Sequence, residues 1–188
     1  MFQIILSLFH LLPGKEHWLG LKKIYKLTNR QNVTTDLKII LESFSGETTT
    51  VDYEDFSLKD QVTIFIIHWM VEIYTDTNYN FLFQTKFAFN VGASFLSFNG
   101  LKIHDLNGTP FSTKDKDQDN YSGNCATDNT GAWWYNSCSH MNLNGKNFGY
   151  AKNDWKSMSW IGFPQSGKKI SLKTIKMALR KQYTIIAC

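Results

Sequence analysis

The chain has 188 residues, a formal net charge of +4, 43% hydrophobic and 15% aromatic residues, and a charged fraction of 19%. That composition supplies apolar surface for one ordinary core and excludes a largely disordered chain, which needs low hydrophobicity and high net charge. Its only adjacent basic pairs are Lys22-Lys23, Lys168-Lys169 and Arg180-Lys181, far from the concentrated stripe of a nucleic-acid-binding domain.

No run approaches the roughly 18–20 apolar residues that cross a bilayer. The longest, Val62–Tyr74, is interrupted by His68 and Glu72, so no membrane span is expected. Met1–Leu12 has the length of a signal-peptide apolar core but neither a basic start nor an A-x-A-like cleavage site. It reads as a strand or a ragged terminus over residues 1–13.

His17–Thr28 predicts a short amphipathic helix, with Trp18, Leu21 and Tyr25 on one side and Lys22, Lys23 and Lys26 on the other. Asp36–Phe44 alternates through Leu37, Ile39 and Leu41, Ser45-Gly46 turns the chain, and Thr48–Phe56 alternates again through Val51 and Tyr53. This is a β-hairpin with one buried face. Val62–Tyr74 and Tyr79–Phe89 are rich in β-branched and aromatic residues and read as strands. From Asn99 to Gly167 periodicity vanishes and Gly, Asn, Ser and Asp accumulate around four tryptophans. Such a stretch needs support other than a regular backbone ladder, and a metal with a disulfide would supply it. Ile170–Leu179 is predicted as a closing strand.

Three cysteines are present, Cys125, Cys138 and Cys188. The first two could close a short loop in an oxidising compartment or remain two buried thiols. Just before them, Asp115, Asp117 and Asp119 alternate, followed by Tyr121 and Gly123. Alternate carboxylates let a tight loop aim several oxygens at one cation, as Ca²⁺ requires, and glycine eases the turn. The competing reading is a solvated acidic turn; an EF-hand is excluded because its closing glutamate is missing. Trp133 and Trp134 cannot both enter one core from a regular strand, so one face of their segment should be exposed or line a cleft, unless they pack on opposite sides of a loop-rich domain.

These strings resemble one family. Phe111-Ser-Thr-Lys-Asp115, Ser122-Gly-Asn-Cys125-Ala126, Trp133-Trp-Tyr-Asn-Ser-Cys138 and Asn142-Leu-Asn-Gly145 are similar in order and type to the fibrinogen C-terminal domain. Glu16–Tyr25 resembles its early helix and Ser171–Met177 its last strand. The resemblance covers most of residues 14–60 and 79–180. It implies an α+β domain over 14–180, with a twisted, mainly antiparallel sheet, short helices and a loop-rich calcium- and ligand-binding region, followed by a tail over 181–188. It also implies a Ca²⁺ ion held by the Asp117 and Asp119 side chains and the Tyr121 and Gly123 carbonyls. The same resemblance pairs Cys125 with Cys138 and makes the Ser137–Cys138 peptide bond cis. The ligand pocket it implies draws on Asp128, Asn129, Ser137, Cys138, Ser139 and His140, with Tyr150, Trp155 or Trp160 as candidates for the far wall. Two departures stand out. The family's N-terminal subdomain has no counterpart in this sequence, and residues 62–77 look like an insertion.

No enzymatic constellation competes. The five histidines show no H-x-x-x-H spacing, and neither a G-x-S-x-G elbow nor a phosphate loop occurs. The chain is therefore expected not to be an enzyme. What the resemblance implies is an extracellular, secreted binding module. Its first reading is a lectin that recognises acetylated sugars in innate immunity, as ficolins and tachylectins do. The second is an angiopoietin-like or matrix-type ligand of a cell-surface receptor, with homo-oligomers expected only in a full-length form. Asn32 and Asn107 lie in N-x-T sequons and are the expected glycosylation sites.

Overall fold

The computed structural model describes residues 5–9, 19–60, 65–70, 108–138, 140–165 and 167–183. Strand β2 (Val33–Glu42) shows why its central ribbon forms. Leu37, Ile39 and Leu41 are buried while Lys38, Ile40 and Glu42 stay partly exposed, which is the period of two of a half-buried strand. A turn at Ser43–Glu47, with Gly46 at φ 90, returns the chain into β3 (Thr48–Asp60). On the other side of β2 runs β7 (Thr174–Tyr183), which sets Leu179, Met177 and Ile175 opposite Leu37, Ile39 and Leu41. Strand β1 (Ile5–Phe9) pairs with β7 and β4 (Phe65–Met70) with β3. The sheet order is β1-β7-β2-β3-β4, and every neighbouring pair is antiparallel.

Strand β3 changes phase midway. Thr49, Val51 and Tyr53 are buried, then Phe56 and Leu58, so the inward set moves from odd to even positions. The shift occurs at Asp55, whose φ is 49, inside a register break between Glu54 and Ser57. A bulge of this kind re-aims all following side chains. Buried Asp36 on β2 accepts from the Asp55 backbone N–H (3.4 Å), from Arg180 Nε and Nη2 (3.0 and 2.7 Å) and from Gln182 Nε2 (2.6 Å). One carboxylate thus ties the bulge to β7.

The α1 helix (Leu21–Thr28) starts at Gly20 and is shorter than the expected His17–Thr28, part of which lies outside the described residues. Its buried contacts come from Ile24 and Thr28, while Leu21 and Tyr25 pack partly exposed against the core. The Thr28 hydroxyl accepts from Leu58 N (3.2 Å), and Asn29 Nδ2 donates to the Leu58 carbonyl (2.7 Å), docking the helix on β3.

Two further expectations shift. The hairpin forms as predicted, but β3 continues past Phe56 because the bulge restores an apolar face. The closing strand begins at Thr174 rather than Ile170: Ile170 makes an isolated bridge to Asn153, and buried Leu172 donates its N–H to Met158. Leu172 and Ile175, three residues apart, break the period of two where the strand begins. Two strand expectations are met in part: Ile5–Phe9, from the segment expected to be ragged or a strand, forms β1, and Phe65–Met70, inside the expected strand Val62–Tyr74 and the expected insertion, forms β4. The expected strand at Tyr79–Phe89 lies outside the described residues.

Among the described residues outside α1 and the five-stranded sheet, regular structure is sparse: α2 (Cys125–Asp128) and the two-residue pair β5 (Met141–Asn142) and β6 (Ser159–Trp160). Phe111, Trp133, Trp134, Tyr135, Met158 and Trp160 nevertheless join the same buried cluster as the sheet residues.

Candidate functional site

The acidic loop is anchored where Ser112 and Trp133 exchange backbone hydrogen bonds (2.9 and 3.2 Å). The buried Ser112 hydroxyl lies 3.2 Å from Asp117 Oδ1 and 3.3 Å from Asp119 Oδ2, so two carboxylates converge on one hydroxyl. Asp119 also accepts from the backbone N–H groups of Tyr121 (3.0 Å) and Cys125 (3.1 Å). Burial holds its carboxyl above the ordinary range, and neighbouring Asp117 pushes the same way. Asp115 does not join this pair. It accepts from the Thr113 hydroxyl at 2.7 Å, a bond that holds its carboxyl below the ordinary range. Alternation in sequence therefore yields two convergent carboxylates rather than three. Among the described residues no three His, Cys, Asp or Glu side chains form a metal-holding group; the expected set needs only two carboxylates with two carbonyls. Gly123 has its own steric requirement, because a Cβ there would sit 2.7 Å from the Tyr121 ring.

Next in the chain, Asn124 accepts from Thr127 N at 2.8 Å and caps α2. The first residue of that helix, Cys125, is disulfide-bonded to Cys138. Asn120 and Asn136 pair through backbone (2.6 Å) and side chain (2.8 Å), so the acidic loop and the aromatic run are joined twice. Among the described residues the cis peptide bond is Phe163–Pro164, not the expected Ser137–Cys138. The chain turns at Cys138 through a positive φ of 53 instead.

Trp133 and Trp134 are both buried, 2% and 1% exposed, and meet edge to face with ring centroids 5.0 Å apart. The expectation of one exposed face fails because Trp133 makes only an isolated bridge and the Tyr135 N–H turns back to the Trp133 carbonyl (3.0 Å), so the pair does not follow a regular strand. A residue whose role the sequence did not reveal bonds to the neighbouring Tyr135. Asn142 is fully buried. Its Nδ2 donates to the Asn129 carbonyl (2.8 Å) and lies 3.4 Å from the Trp155 carbonyl, while its Oδ1 accepts from the Tyr135 hydroxyl (2.9 Å). Gly145 is glycine because a Cβ there would collide with that amide and with the Ser157 carbonyl. The signal was the Asn-Leu-Asn-Gly string itself, whose polar residues gain meaning only once they are known to be buried.

The expected pocket residues part company. Asp128 and Ser137 are exposed, Cys138 and His140 are half-buried, and Ser139 lies outside the described residues. Asn129 is not free to line a rim: it is 5% exposed and its amide donates to the Cys125 carbonyl at 2.9 Å. Of the three aromatic candidates for a far wall, Trp160 is buried opposite Met141, whereas Tyr150 and Trp155 are 58% and 67% exposed.

Residues 7–182 match the family model described as the C-terminal globular domain of fibrinogen beta and gamma chains. Human angiopoietin-related protein 6 is 35% identical over 133 residues, which cover 71% of this chain and 23% of that protein. Mouse angiopoietin-related protein 7 is 31% identical over 169 residues, 89% of this chain and 42% of that protein. Among solved structures, lamprey fibrin D-dimer complexed with the peptide Gly-His-Arg-Pro-amide aligns with a TM-score of 0.64 and 27% identity, covering 94% of this chain and 53% of that one. The chain thus spans less than half the length of these curated relatives.

Proposed function

The chain belongs to the fibrinogen C-terminal domain family, and on that premise we propose that it is an extracellular recognition module for a protein surface, an angiopoietin-like ligand of a cell-surface receptor. The observation carrying this reading is the kinship with angiopoietin-related proteins over most of the chain, joined to a relative whose solved structure holds a peptide. It has more support than recognition of acetylated sugars, because Asn129 and Trp160, two candidates for the sugar pocket, are built into the interior. The Cys125–Cys138 bond suits an oxidising, extracellular setting.

Calcium has a structural part in this proposal. The converging Asp117 and Asp119 carboxylates fit a cation, which would offset their mutual repulsion, with the Tyr121 and Gly123 carbonyls completing the set. The ion would fix the loop that leads into Cys125. Exposed Asn32, in the turn before β2, is the accessible sequon; Asn107 lies outside the described residues.

The test is binding of fluorophore-labelled, calcium-loaded protein to a panel of cultured cells. Binding should vanish after trypsin shaves the cell surface and should resist competition by N-acetylglucosamine. Retention on acetylated agarose, with elution by free N-acetylglucosamine, would overturn the proposal in favour of the sugar reading.

A further inference from the structure

Charge along this chain is segregated in a way its net value hides. From Gly131 to the end there are nine Lys and Arg residues and one acid, Asp154. That acid is already paired, 2.7 Å from Lys152 Nζ. The lysines are four to a dozen residues apart in sequence, and the fold gathers them. Lys146 N donates to the Lys156 carbonyl (2.7 Å), Asp154 N to the Lys169 carbonyl (3.1 Å), and Ser171 N to the Lys152 carbonyl (2.8 Å). Three basic segments are therefore laced together side by side.

Aromatic rings are interleaved with these cations. Lys146 and Lys152 both stand over the Phe148 ring, 5.1 and 4.2 Å from its centroid, and Phe148 lies 6.3 Å from the Tyr150 ring. Lys169 stands 4.5 Å over the Trp155 ring. Tyr150 and Trp155 are the two most exposed large apolar side chains among the described residues. Large exposed rings beside clustered cations mark an interaction surface rather than an ordinary solvated face.

We propose that Lys146, Lys152, Lys156 and Lys168, set around Tyr150 and Trp155, form a docking face for a sulfated polysaccharide. The rings offer flat platforms for the apolar faces of sugar rings, and the ammonium groups meet sulfates. Every cation on the face is lysine. A lysine is a flexible point charge that meets sulfate and carboxylate alike, so the rings decide the occupant. Exposed Tyr150 and Trp155 offer flat faces on which sugar rings can lie between the cations, which favours a sulfated glycan over an acidic polypeptide. Lys169 adds to the attraction: it is 3% exposed and burial pulls its ammonium down to about 8, so a nearby anion would favour its charged form. This face is separate from the acidic loop and does not depend on the identity of any receptor.

The experiment is retention on immobilised heparin at pH 7, with affinities from titration of a heparin dodecasaccharide at 150 mM NaCl. Wild-type protein should be retained at that salt and released as salt rises. Lys156→Glu with Lys168→Glu should abolish retention, and Trp155→Ala should weaken binding about ten-fold, both with an unchanged melting curve. Lys22→Glu with Lys23→Glu, an equal charge change on exposed α1 positions, should leave binding intact. Four outcomes would overturn the proposal: flow-through of wild-type protein, equal loss in the α1 control, no effect of the double substitution, or equal binding of desulfated heparin. Equal binding of polyglutamate would also overturn it and reassign the face to an acidic polypeptide.

Discussion

Replacing Asn142 with leucine asks whether side-chain amides hold the loop-rich half together. Leucine keeps nearly the same shape but removes the donor to Asn129 O (2.8 Å) and the acceptor for the Tyr135 hydroxyl (2.9 Å). Tyr135 retains a second acceptor, the Gly131 carbonyl at 2.8 Å, so its hydroxyl is not orphaned. The buried Asn129 carbonyl does lose this donor. An orphaned buried polar group costs about 1–3 kcal/mol and each lost bond about 1 kcal/mol net, so the expected destabilisation is about 2–4 kcal/mol. For a chain of this size that lowers Tm by about 5–15 °C. Asn142→Asp should be worse at neutral pH, because a carboxylate would then face the carbonyl oxygens of Asn129 and Trp155. Urea unfolding followed by tryptophan fluorescence measures both, since buried Trp133 and Trp134 report on this region. A leucine variant within about 0.5 kcal/mol of wild type, or an aspartate variant as stable as wild type, would refute the reasoning.

Two more expectations concern ionisable groups. Millimolar Ca²⁺ should raise Tm by about 5–10 °C if it exceeds its dissociation constant about a hundred-fold, and Asp117→Ala should remove the increment; identical melts in Ca²⁺ and in chelator would end the calcium reading. Burial pulls Lys169 from 10.5 to about 8, so between those values the unfolded chain binds the extra proton and this residue's contribution makes stability rise with pH. The burial cost is fully present below pH 8 and relieved above 10.5, up to about 3 kcal/mol. Lys169→Met should therefore be relatively more stable at pH 7 than at pH 10, and a constant wild-type-to-variant difference in urea midpoints across that range would contradict the assignment.

How legible each half was follows from what stabilises it. Strands β2 and β7 could be read because Leu37, Ile39 and Leu41 alternate cleanly and their partners do too. The bulge at Asp55 could not, since the bond that accompanies it is to Asp36, nineteen residues earlier. The acidic pair was legible as Asp117 and Asp119, but the departure of Asp115 depends on a hydroxyl two residues before it. Trp133 and Trp134 misled for a related reason: strand geometry forbids their joint burial, and the chain there is not a strand. Asn142 was invisible because an asparagine in a Gly- and Asn-rich stretch looks like turn chemistry until its burial is known.

The two halves of the chain thus solve the same problem differently. In the sheet, backbone ladders satisfy the polar groups and apolar alternation supplies the core. Among the described residues from 108 to 173 there is almost no ladder, and isolated backbone bonds are supplemented by the side chains of Ser112, Asn120, Asn124, Asn129 and Asn142, each bonded to a carbonyl, an N–H or another side chain. A loop held this way adopts one shape only when all its partners are present, which makes it stiff without being regular. Such stiffness is what a recognition surface needs, since side chains already ordered lose little entropy on binding. The disulfide and the acidic pair act on the same segment, at its ends. They therefore do not need to touch a ligand to govern its affinity. On the proposed calcium reading, chelation, like reduction, should speed amide hydrogen exchange in residues 126–137 first and leave the β2–β3–β7 ribbon, whose ladder lies elsewhere, protected; equal speeding in both would contradict it.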